Sequence, residues 1–344
     1  MTDLSHGRIE TVLGPIAPEA LGPTLMHEHL LCNIVPPAKR GNPTPPEAVT
    51  LENTFDLNYG RSGAPKVPIQ DKDVAIREVD WMKAAGGNAI VELTIGGLEP
   101  DPEGLRDIAK ATGTHIVMGC GHYVHGYQDA ANYERDIDSF ATEMVEQVTK
   151  GLWGTDVKAG LIGEIGCESP WVDLEKRVMA GAIIAQRETG ACVNVHPGRQ
   201  EDHPMEVVEF FREHDGDLTR LIISHIDRTI HDDDRLKQLA DTGLILEWDL
   251  FGQENAYYAP NPTVQLPNDA KRLRDIRMLI DRGHLDQIVI SHDICFATRL
   301  QSYGGHGYGH IYRNVIPMMR EMGWTEAEID AVMVGNPRRL LTIQ

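Results

Sequence analysis

Eight short apolar runs, each leading into a stretch with helix start and stop signals, constrain this chain more than any other feature. They are TLMHEHL (24–30), AIVELT (89–94), HIVMGCGHY (115–123), GLIGEIG (160–166), CVNVHP (192–197), LIISHID (221–227), LILEWD (244–249) and QIVISHD (287–293). Runs this continuous are what strands buried on both faces require. Between them, DKDVAIREVDWMKAAGG (71–87) opens on Asp and stops at Gly-Gly. DPEGLRDIAKATG (101–113) has Asp101 as cap, Pro102 in the first turn and Gly113 as stop. DLEKRVMAGAIIAQRETG (173–190) and DDDRLKQLADTG (232–243) repeat the pattern. Eight alternating units predict an α/β fold, a TIM (β/α)8 barrel, with a doubly wound open sheet as the alternative.

No linker divides residues 1–344, which predicts a single barrel domain. The long connections, VPPAKRGNPTPPEAV (35–49), FGQENAYYAPNPTVQLPND (251–269) and ICFATRLQSYGGHGYGHIYRN (294–314), all follow strands, whereas helix-to-strand links are short. In a barrel this elaborates the C-terminal face, where active sites are built. A formal net charge of −20 argues against nucleic acid or an anionic membrane as partner. No apolar run is long enough to span a bilayer, and MTDLSHGRIETVLGPI lacks the basic and apolar regions of a signal peptide, so a cytoplasmic location is expected. The five widely spaced cysteines predict reduced, buried thiols.

The chemistry lies in what ends the strands. The first run carries His27 and His29, the fourth Glu164, the fifth His196, the sixth His225 and the eighth Asp293. Residues i and i+2 of a strand share a side, so His27 and His29 both face the barrel axis. A lone histidine at a strand end is more often a hydrogen-bonded core or surface residue. Six imidazoles and carboxylates from five strands make a different case, since these are the donors that zinc and similar divalent ions take. His122 and His125 stand just past the third run and approach the same end.

TLMHEHL, IGEIG, VNVHPG, ISHID and ISHD, in this order, resemble the phosphotriesterase family of the amidohydrolase superfamily. GRIETVLGPI is similar to that family's opening β-hairpin and VIPMMREMGWTEAEIDAVMVGNPRRLL to its closing segment; GEIG with SYGGHGYGHI most resembles the phosphotriesterase-related proteins. The resemblance implies two divalent metal ions per chain, zinc or else manganese, cobalt or nickel. His27, His29 and Asp293 would hold a buried ion and His196 and His225 a more exposed one, with a carboxylate bridging both. The best-known members carboxylate a lysine on strand four for that bridge; this chain has Glu164 there, as the phosphotriesterase-related branch does. Homodimers are common where the resemblance points.

Two cations close together lower the pKa of a shared, bridging water toward hydroxide and polarise a C=O or P=O bond. Asp293 is the expected catalytic proton acceptor, with Asp249 a candidate relay. The expected reaction is hydrolysis of a carboxylic ester, lactone or amide in a small molecule, with phosphotriester hydrolysis weak. The alternatives are a phosphorylated sugar lactonase using Arg299, a true phosphotriesterase, and a metal-dead binding barrel. Candidate substrate contacts are Arg228, Tyr123, Trp248 and His310. Arg228 has a rival role as ion-pair partner of Asp232–Asp234, the two aromatics as core, and the loop GGHGYGH (304–310) as a lid or an anion cradle.

Overall fold

A computed structural model describes residues 7–40, 48–59, 67–255, 257–258 and 260–344. Parts of the expected loops at 35–49 and 251–269 therefore lie outside the described residues, as do the first six residues of the opening segment.

An antiparallel hairpin, β1 (Ile9–Thr11) and β2 (Gly14–Ile16), precedes eight parallel strands. These are β3 (Thr24–Glu28), β4 (Ala89–Glu92), β5 (His115–Cys120), β6 (Leu161–Gly166), β7 (Val193–His196), β8 (Leu221–Ile223), β9 (Ile245–Trp248) and β10 (Ile288–Ile290). Each pairs with the next in chain order. The last turns back onto the first: Asp293 N donates to His27 O at 3.1 Å. The result is a nearly closed barrel with helices outside it, a TIM barrel rather than an open sheet.

The helices begin and end where their sequence signals stand. Asp71 caps Lys72–Ala84 by accepting from Asp73 N and Val74 N, and Asp101 caps Pro102–Thr112, which stops at Gly113 in the left-handed conformation (φ 64°). Asp173–Thr189 ends at left-handed Gly190, and Asp232 caps Asp233–Ala240. Glycine carries no Cβ penalty at such positions.

Inside the barrel, Met26, Val91, Val117, Leu161, Ile222, Ile245 and Val289 pack with Ile9 of the hairpin and Leu340 and Leu341 of the closing helix. Above this apolar plug stands a belt of fully buried polar side chains. Asn194 Nδ2 donates to Glu247 Oε2 at 2.8 Å, and Ser224 Oγ lies 2.8 Å from the same oxygen. The apolar end fixes the fold, and the polar belt begins the site. All five cysteines are buried and none forms a disulfide, as their spacing predicts. Among the described residues no helix is long and apolar enough to cross a membrane.

Candidate metal centre

The strand ends bring together the six residues their sequence positions single out. His27 lies within β3 and His29 just past it, Glu164 within β6, and His196 closes β7; His225 stands two residues beyond β8 and Asp293 three beyond β10. Donor atoms of His27, His29 and Asp293 lie within 4.8 Å of one another, and so do those of Glu164, His196 and His225. Glu164 reaches from the second triad to the first. Its Oε1 is 3.5 Å from His29 Nε2, while Oε2 is 3.5 Å from His27 Nε2, 2.9 Å from His196 Nδ1 and 3.4 Å from His225 Nε2. Asp293 Oδ1 completes the first triad at 3.3 Å from His29 Nε2.

The local backbone is bent to achieve this. His225 and Asp293 both adopt left-handed conformations, with φ of 56° and 48°. Such angles are uncommon outside glycine and cluster at functional sites. Each turns a residue that has left its strand back toward the barrel axis.

The imidazoles are held from behind. His29 Nδ1 is 3.0 Å from Thr94 Oγ1, which donates to Glu92 Oε1. His27 Nδ1 faces Asp249 Oδ2 at 3.1 Å and Glu247 Oε2 at 3.2 Å. Asp249 grips His225 twice, accepting from its main-chain N at 2.9 Å and standing 2.8 Å from Nδ1. Carboxylate and hydroxyl partners of this kind fix ring orientation and tautomer.

Electrostatics follows from that crowding. Burial works against a charged His225, yet Asp249 prevails and raises its pKa to about 9. For His27 the pull of Glu164 and Asp249 likewise overcomes burial, and its pKa is raised. Burial lowers His196 to about 3, with the charge of His225 adding to the effect. Glu164 and Asp249, also opposed by burial, are held well below the usual carboxylate range by their histidine neighbours.

These residues fit a divalent cation site. His27 Nε2 is buried without a hydrogen-bond partner and faces Glu164 and Asp293. His196 Nδ1 and His225 Nε2 point at each other across 2.8 Å. Nitrogen and carboxylate donors converging so closely, with one nitrogen orphaned, form the donor set that zinc and its neighbours take.

The centre forms the floor of a small chamber. Tyr123 and Arg228 line it with Arg199, Gln253, Tyr258 and Arg299. Tyr123 OH is 3.5 Å from His196 Nε2, and burial, reinforced by Glu164, raises its pKa so that the phenol stays protonated. Arg228 is 3% exposed and makes none of the expected ion pairs with Asp232–Asp234. Asp232 caps the following helix instead, and Asp234 pairs with Lys237. Arg299 Nη1 donates to Asp293 O, and its Nη2 to Gln253 Oε1 at 2.9 Å.

Two expected substrate contacts lie elsewhere. Trp248 is 1% exposed and packed in the large apolar cluster around the barrel, because its side chain leaves β9 on the opposite face from its neighbours Glu247 and Asp249. His310 Nε2 pairs with Asp269 at 2.7 Å, and the glycine-rich loop is anchored by Tyr308 OH donating to His29 O at 2.6 Å. Glu92, Thr94, Arg199 and Tyr258 were not singled out by the sequence. Glu92 and Thr94 carry the same signal as the six clustered residues, a polar residue ending an apolar run. Arg199 follows His196 at the offset by which Arg228 follows His225.

A model of the phosphotriesterase family matches residues 7–341. The chain belongs to that family. Its relatives include the N-acetyltaurine hydrolase of Bos taurus, 38% identical over 351 aligned residues that cover all of both chains. Among solved structures it is similar to a resiniferatoxin-binding protein from Rhodobacter sphaeroides, with a TM-score of 0.90, 35% identity and coverage of 98% of this chain and 96% of that one. It is also similar to a lactonase from Listeria monocytogenes, with a TM-score of 0.81, 25% identity and coverage of 98% and 99%. Family membership makes the chain a metal-dependent hydrolase acting on small molecules.

Proposed function

We propose that the protein hydrolyses the amide bond of a small N-acylated substrate at a centre of two divalent cations, zinc first among the candidates. The observation that carries this reading is the pair of donor triads joined by Glu164, in a chain matched end to end by relatives named N-acetyltaurine hydrolase. His27, His29 and Asp293 would hold one cation and His196 and His225 the other, with Glu164 between them. The cations would supply Lewis acidity and acidify water.

The chain's own groups do the rest. Asp293 is the carboxylate of the six whose side chain is most open to the chamber, 15% exposed against 3% for Glu164. It accepts the proton of the attacking water and returns it to the departing nitrogen, which leaves poorly as an anion. Tyr123, kept protonated, donates toward oxygen atoms of the bound substrate from above His196. Asp249 keeps His225 oriented through both steps.

Parallel steady-state kinetics on N-acetyl amino acids, a γ-lactone and a paraoxon-type triester test the reading. The amides should give the largest kcat/KM. A phosphotriester turned over orders of magnitude faster than every carbonyl substrate contradicts it. Lactone hydrolysis is the second reading, supported by the likeness to the Listeria lactonase.

A further inference from the structure

We infer that Arg228 and Arg199, with Tyr258, form an anion subsite on the His196 side of the chamber, which selects substrates bearing a carboxylate or sulfonate close to the scissile bond. This deepens the amide-hydrolase reading by naming the substrate class, and it rests on that reading for the bond cleaved.

Arg228 is 3% exposed, and its contacts are all neutral groups: Thr229 Oγ1 at 3.1 Å, Pro197 O at 3.0 Å and His196 Nε2 at 3.2 Å. Arg199 Nε donates to Tyr258 OH at 3.1 Å, and neither of its terminal nitrogens has a partner among the described residues. A buried cation is expensive unless something pairs it. The third arginine of the chamber differs, because Arg299 lies 3.8 Å from Asp293 Oδ2 and so has its carboxylate. A fully buried guanidinium, Arg228, and a half-buried one, Arg199, neither in an ion pair among the described residues, on one wall of a chamber in a chain of net charge −20, are a local reversal of sign.

Their placement also sets the reach of the ligand. Arg199 and Arg228 each stand three residues after a histidine of the same triad, His196 and His225. Arg228 is in contact with Nε2 of His196, whose Nδ1 faces Glu164. An anion on Arg228 is therefore about one imidazole away from the reacting carbonyl, a span that suits an acid group two or three bonds from the amide nitrogen. Planar guanidinium groups bind carboxylate and sulfonate oxygens in pairs, so the subsite reads the anion through two oxygens. Tyr258 OH, which accepts from Arg199, orders that fork. The positive field at this wall is felt by Tyr258 itself: its pKa is lowered by Arg228 and Arg199 although burial opposes it.

The test uses metal-loaded protein and three probes: N-acetyl-β-alanine, its sulfonate counterpart and its neutral carboxamide. Wild type should favour both anions over the carboxamide in kcat/KM and bind them more tightly by calorimetry. Comparison of the two anions tells which acid the subsite prefers. In Arg228→Met and Arg199→Met the ratio of anionic to neutral kcat/KM should fall about 30-fold or more, the cost of removing one partner of a buried charged contact. The loss should appear mainly in KM, and Arg228→Lys should recover part of it. Equal handling of anionic and neutral probes by wild type, or equal losses on both in the variants, overturns the subsite. If esters of these acids are cleaved with the same anion preference and amides are not, the amide reading falls and the subsite stands. Calorimetry reads the preference whichever bond is cleaved.

Discussion

Asp249 and His225 are joined twice, through Nδ1 at 2.8 Å and through the main-chain N at 2.9 Å, so that one carboxylate fixes both the ring and the left-handed turn carrying it. An Asp249→Asn variant keeps the shape but loses the charge that sets the tautomer. It should lower metal affinity about 10- to 100-fold, with the weaker of two binding steps affected most. Titration with a competing chelator measures this; unchanged affinity at both steps contradicts the assignment.

Arg272, fully buried in the helix Asp269–Ile280, ties the start of that helix to the short helix Ile226–Thr229 and to the loop after β9. It donates to Asp227 Oδ2 and Asp269 Oδ1, both at 2.8 Å, and to Gln253 O at 3.2 Å. Burial raises the Asp227 pKa to about 6 even with Arg272 beside it. Arg272→Met takes the guanidinium from two buried carboxylates, leaving Asp227 with Leu250 N and Asp269 with Gly252 N and His310, and should cost about 3–5 kcal/mol of unfolding free energy. Urea denaturation checks the figure, and adding Asp227→Asn should restore part of the loss. Full wild-type stability in the single variant contradicts the picture.

His203 gives the acid limb of stability a local source. Its Nδ1 accepts from Gly198 N at 2.7 Å, and burial first, then the charge of Arg228, lowers its pKa to about 4. Its unfolded value is near 6.5, so between these limits the unfolded chain binds more protons than the folded one. The contribution is present above pH 6.5 and is lost as pH falls toward 4. A His203→Gln variant should therefore show a flatter fall in melting temperature across that window than wild type. Parallel falls in the two proteins contradict the assignment.

The barrel is legible because its strands are buried on both faces and its helices carry their own caps. TLMHEHL and QIVISHD show that polar residues ending such runs mark the site as well as the fold. Asp249 and Glu92 also end apolar runs, but a carboxylate that meets an imidazole directly, as Asp249 does, or through Thr94, as Glu92 does, has no separate mark in sequence. Trp248 shows the limit of the same logic, since one residue along a strand reverses the face. Arg199 and Tyr258 meet from positions 59 apart, on loops whose approach no periodicity encodes.

Glu164, buried at 2% exposure, belongs to one donor triad and lies 3.5 Å from both histidines of the other. The most direct measurement is the divalent-metal content of purified protein, by mass spectrometry, alongside amide turnover, for wild type and Glu164→Gln. Wild type should carry about two ions per chain, and the variant should lose metal and turnover together with its far-ultraviolet circular dichroism unchanged. Full metal content and full turnover in Glu164→Gln, or amide turnover by wild-type protein without metal, contradicts this.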